Sequence, residues 1–110
     1  MDETPQSSTQ KMIAALWQRN QPQVLERLAL LDRAAAEPLT PQLRQEAIAT
    51  AHKLAGTLGM FGFHEGTRLA RDFEQHLETP TPDPTHLASL ATELRQTLFP
   101  ANPAEAKSSL

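Results

Sequence analysis

Apolar residues recur every three to four positions along almost the whole of this chain, and prolines mark where each run has to stop. That spacing dictates helices. No segment alternates apolar and polar residues as a half-buried strand would. Ile13, Leu16 and Trp17 predict a short first helix ending near Asn20-Gln21-Pro22. Val24, Leu28 and Leu31, flanked by Leu25 and Ala35, predict a second that ends before Pro38. Thr40-Pro41 is a helix start, a capping threonine followed by a residue whose fixed φ suits the first helical position. The third helix then runs from about Pro41 to Phe61, with Ala47, Ala51, Leu54 and Leu58 as its inward stripe and Gly62 as its stop. Leu69, Phe73 and Leu77 mark a fourth helix from about Phe63 to Glu78. Thr79-Pro80-Thr81-Pro82 cannot continue it, because proline lacks the amide donor and clashes with the preceding turn. Asp83-Pro84 starts a last helix, striped by Leu87, Leu90, Leu94 and Leu98 up to Phe99-Pro100.

Short links favour antiparallel neighbours, so the expected fold is all-α: an antiparallel up-down four-helix bundle with a short additional N-terminal helix. The bundle is expected over residues 9–100, with polar, proline-bearing tails at residues 1–8 and 101–110 that read as disordered. A chain of 110 residues is one domain's worth. No apolar run approaches the ~20 residues of a membrane-spanning helix. Met1-Asp2-Glu3-Thr4-Pro5 is acidic and polar, unlike a secretory signal. A net charge of -3 argues against broad contact with a nucleic-acid backbone, and the absence of cysteine removes disulfides, thiol nucleophiles and cysteine-ligated zinc. The expectation is a cytoplasmic domain that is monomeric when isolated.

A helical bundle can host almost any function, so function has to be argued from a site. The candidate is Ala51-His52-Lys53-Leu54-Ala55-Gly56-Thr57-Leu58-Gly59-Met60-Phe61-Gly62. On a wheel of ~100° per residue the apolar residues of the third helix cluster within about 80°, and His52 lies about 120° from their centre, toward water. Gly56 and Gly59 share its side. Glycine inside a helix costs roughly 0.8–1 kcal/mol against alanine. Two of them beside a histidine leave a bare surface that another backbone can approach. An exposed imidazole near neutrality is a usable nitrogen nucleophile. By itself His52 would read as an ordinary surface histidine; the glycines at +4, +7 and +10 make it an accessible nucleophile on a rigid rod.

Those residues carry a resemblance. His52-Lys53-Leu54-Ala55-Gly56, followed by Gly59 and Gly62, resembles the signature of histidine-containing phosphotransfer (Hpt) domains, and Gly66, Leu69, Ala70, Phe73 and Glu74 continue the family pattern. The resemblance implies that His52 is the phosphoacceptor, taking phosphate from one receiver domain's aspartyl phosphate and passing it to the aspartate of another. It implies a phosphocarrier without autokinase activity, working with response-regulator receivers or a hybrid histidine kinase. No cofactor of its own is implied, since the receiver supplies Mg²⁺. Consistently, the chain has neither a P-loop nor a kinase glycine loop. Many members of the family have lysine at +3, where this chain has Ala55. Lys53 and Arg68, with Arg71, would then supply favourable positive potential, and Gly56, Gly59 and Met60 a docking face. The stretch from Arg44 to Arg71 holds four Lys/Arg and two Asp/Glu, against a negative chain overall.

Competing readings of the same residues are blander. Gly56 and Gly59 also suit close helix packing, and Gly62 suits a plain turn. Lys53, Arg68 and Arg71 also read as a solvated face. His64, His76 and His86 lack metal-ligand spacing. Phe61, Phe63 and Phe73 read as core or hinge packing, and Trp17 as a pin holding the first helix across the bundle. The rival function is a non-catalytic docking module with His52 unused, or a helical adaptor unrelated to signalling.

Overall fold

The computed structural model describes residues 5–100, with side chains from Ser8 onward. It contains α1 (Pro5–Ala36), α2 (Pro41–Met60), α3 (His64–Leu77) and α4 (Pro84–Leu98). Each helix packs on its sequence neighbours, α4 closes back on α1, and the diagonal helices approach only through side chains in the core. This is the expected up-down four-helix bundle. Residues 1–4 and 101–110, expected as tails, lie outside the described residues, while residues 5–8 belong to α1.

The separate short N-terminal helix does not exist. The chain runs through Asn20-Gln21-Pro22 as one helix of 32 residues with Pro22 inside it. Proline in a helix interior costs about 3 kcal/mol, so something larger must hold the helix together. Trp17, Val24, Leu28 and Leu31 fall on one helical face across the proline, and the last three have no solvent exposure. Burying such side chains contributes roughly 1.5–3 kcal/mol each. Pro22 is exposed, and so is Gln18, the residue whose carbonyl it leaves without a helical donor. At ~1.5 Å per residue α1 is roughly 18 Å longer than α2.

Caps fall where the sequence places them. The Thr40 hydroxyl accepts from the Leu43 amide at 3.1 Å, with Pro41 opening α2. The Asp83 carboxylate accepts from the Thr85 amide at 3.0 Å, with Pro84 opening α4. Gly62 turns the chain between α2 and α3 at φ 81°, a left-handed conformation that glycine adopts without strain. Arg44 reaches from α2 to the carbonyls of Leu77 and Thr79, tying down the end of α3 and the proline-rich link behind it.

The core is purely apolar: Leu54 and Leu58 from α2 meet Leu69, Phe73 and Leu77 from α3 and Leu87 and Leu94 from α4. No polar or charged side chain is buried among the described residues. Trp17 closes one end of the bundle, with ring centroids 5.4 Å from Phe61, 4.7 Å from Phe63 and 5.7 Å from Phe99. Trp17 therefore pins α1, as its sequence position suggested, and Phe73 is fully buried.

Candidate functional site

Buried neighbours set the orientation of α2. Ala51, Leu54 and Ala55 face inward at 0–4% exposure, which forces the residue between them, His52, outward. Its side chain is 76% exposed. The only described side chain that holds it is Glu74, on α3: Nδ1 lies 3.3 and 3.2 Å from the two carboxylate oxygens. Glu74 is itself only 19% exposed, so the pair has a fixed end and a free end. A carboxylate can only accept, so this contact assigns the proton to Nδ1 and leaves the Nε2 lone pair directed away from Glu74. The same carboxylate orients the ring, as second-layer carboxylates orient metal-binding histidines.

The register of the α2–α3 hairpin explains the pairing. Residues equidistant from the turn at Phe63 face one another. A Cβ built on Gly59 would sit 3.6 Å from the Thr67 hydroxyl, and His52 meets Glu74 by the same rule. The rule also sets Ala55 across from Arg71. His52, Glu74, Ala55 and Arg71 border a groove of about 330 Å³ that Gly56, Gln75 and Glu78 complete. A Cβ on Gly56 would meet no heavy atom within 4 Å, so this wall of the groove is open to an approaching surface.

The other residues singled out in the sequence are spread around this centre. Lys53 borders a shallow, mostly apolar groove on the other flank of His52, with Gln45, Ile48 and Ala49. Met60 is 77% exposed at the far end of α2. Gly59 lines a third groove, shared with His64, Thr67, Arg68 and Arg71. Arg68 is engaged there: its guanidinium forms ion pairs with Glu65 and with Asp72. The hydrogen bond from Arg68 holds the Glu65 carboxyl below its usual range, and Glu65 in turn raises the guanidinium. The positive charge of Arg68 is thus spent within its own helix face rather than at His52. Arg71 instead has no hydrogen bond or ion pair to any described residue and lines both grooves.

The remaining histidines do not join His52. His76 and His86 meet edge to face, with ring centroids 4.6 Å apart, near the start of α4, where His76 Nε2 accepts from the Asp83 amide at 2.8 Å. Among the described residues no three metal-capable side chains converge, and no helix is long and apolar enough to cross a membrane.

Comparison with known proteins matches the Hpt domain family over residues 13–104. The chain belongs to the Hpt family. A curated relative, protein RcaC of Microchaete diplosiphon, is 39% identical over 80 residues, a stretch covering 66% of this chain and 12% of RcaC. No solved structure gives a significant match. Hpt domains work in two-component phosphorelays with receiver domains and kinases, and phosphotransfer in such a relay is the role of this domain.

Two members of the site had weak signals in the sequence. Glu74 matches the family pattern, but nothing local gives it a role until the hairpin register sets it against His52. Arg71 reads like any basic residue on a helix face until Arg68, three residues before it, is seen to be paired.

Proposed function

We propose that His52 is the phosphorylated residue and that Nε2 is the reacting atom. The observation that carries this is the 3.2 Å contact of Nδ1 with the half-buried Glu74 carboxylate on an otherwise exposed ring. In the step this supports, the Nε2 lone pair attacks the phosphorus of a receiver's aspartyl phosphate. The N–P bond forms as the P–O bond to the aspartate breaks, and the aspartate leaves as a carboxylate. The Nδ1 proton stays on the ring, which becomes cationic, and Glu74 stabilises that charge. The reverse sequence delivers the phosphoryl group to a second receiver. Positioning and charge stabilisation are the main demands of phosphoryl transfer, so a small domain with no nucleotide site suffices.

The open Gly56 face receives the incoming receiver in this reading, with Gly59 and Met60 extending the contact and Lys53 adding positive potential. Mg²⁺ belongs to the receiver and the domain needs no cofactor of its own. It acts as a monomer, in the cytoplasm, where receivers reside.

The test is phosphorylation by phosphoramidate and by a panel of phosphorylated receivers. Wild type should acquire acid-labile, alkali-stable phosphate. His52→Gln should keep its helical circular dichroism and lose all label. Label retained by a folded His52→Gln would overturn the assignment. Equal receiver binding by wild type and His52→Ala, without label on either, would instead mark a docking module.

A further inference from the structure

Resting on the reading of His52 as phosphoacceptor, we infer that Arg71 is the cation that holds the phosphoryl group on His52, reaching across the hairpin to a groove that α2 leaves without a positive charge. Phosphorylation bonds to Nε2 a phosphoryl group whose oxygens carry two negative charges. The groove that receives them already contains the carboxylates of Glu74 and Glu78. Ala55, which faces that groove from α2, is 4% exposed and has nothing to offer an anion. A compensating charge must therefore come from α3, and Arg71 is the one cation lining this groove.

Five of the seven arginines are engaged among the described residues; besides Arg71 only Arg19, on α1, has no such partner, and Lys53, also unpaired, borders the groove on the other flank of His52. Arg27 donates to the Thr57 hydroxyl, Arg33 to Glu37, Arg44 to two carbonyls, Arg68 to two carboxylates and Arg95 to Asp32. Glu74, three residues along α3 from Arg71, is an obvious intrahelical partner. Its carboxylate is turned to His52 instead. Arg71 is thus exposed beside the nucleophile with its guanidinium donors unused. The planar guanidinium can donate two parallel hydrogen bonds to phosphoryl oxygens, a geometry that neither Lys53 nor an alanine at position 55 can supply. Arg71 also borders the groove of Gly59 and Arg68, so its side chain lies between the reacting atom and the flank beyond it. No new bond chemistry is added to the transfer step: Arg71 stabilises the charge on the oxygens while the N–P bond forms and breaks.

The experiment compares wild type, Arg71→Gln and Arg71→Lys with phosphoramidate as donor, so no partner's docking enters the result. Labelling rate, the half-life of the phosphorylated form and the ³¹P resonance are read together, with thermal melting as the check on folding. Loss of a charge-assisted contact should slow labelling roughly tenfold in Arg71→Gln and shorten the half-life. The ³¹P resonance should move, and the melting temperature should not. Arg71→Lys should recover part of the rate, whereas a residue with a merely structural role would leave the resonance in place. Labelling of Arg71→Gln at the wild-type rate with an unmoved ³¹P signal would overturn the role of Arg71 and leave His52 standing. Absence of label on wild type, or label surviving in His52→Gln, would overturn both.

Discussion

On α2 the inward face carries Ala47, Ala51, Leu54 and Leu58, none of them exposed, while one residue away the outward face carries His52, Gly56 and Gly59. The two faces respond to opposite demands. The inward face is selected by volume, because protein interiors are packed to crystal-like density and each methylene is felt. The outward face is selected by what it leaves out: a side chain at Gly56 would find open space, and nothing in the fold asks for its absence. Gly66 shows the contrast from across the hairpin. It is buried, and a Cβ there would lie 3.0 Å from Leu58 Cδ1 and 3.3 Å from Leu98 Cδ2. One glycine is confined by its packing, and the other faces open space.

Substitutions can break this contrast in a graded way. Phe73→Ala removes the largest fully buried side chain, and should cost about 3–5 kcal/mol in urea unfolding. A loss below about 1 kcal/mol would mean that the core collapses around the gap. Gly66→Ala should destabilise by about 1 kcal/mol, because Leu58 and Leu98 have little room to yield. Gly56→Ala should move the other way, stabilising by about 0.8 kcal/mol from helix propensity alone. Its labelling by phosphoramidate should be unchanged, while transfer from a receiver slows. If both alanine variants shifted stability in the same direction, the distinction between the confined and the open glycine would fail.

The smallest expected effect concerns the Arg68 cluster on the outer face of α3. Arg68 lowers the Glu65 carboxyl in the folded state, so its stabilising contribution is present above the ordinary carboxylate range, near pH 4, and is lost as pH falls through the lowered value. Glu65→Gln should therefore melt slightly below wild type at pH 7, and the two curves should converge in acid once the Glu65 carboxyl is protonated. Exposed pairs of this kind contribute little. A gap between the curves that widened in acid would show that the ion pair is not its source.

Much of this fold is legible in the chain because its signals are local. The leucine stripes, the Thr40-Pro41 and Asp83-Pro84 starts and the Gly62 stop each act within a turn or two, and the helices follow them closely. Pro22 is the instructive exception. Read locally it ends a helix, but Trp17 and Val24 lie seven residues apart on one face, and their common register across the proline is the sign of a single helix.

The sequence by itself determined an all-helical bundle, a histidine on an outward face and the bare glycine beside it, since all three follow from spacing along one helix. Tertiary structure decided which nitrogen is free, which arginine is spent and which is available. Those depend on the register between α2 and α3, where side chains 22 residues apart come within hydrogen-bond distance. It also decided that α1 survives its proline, because the burial that holds it belongs to the whole bundle rather than to the segment.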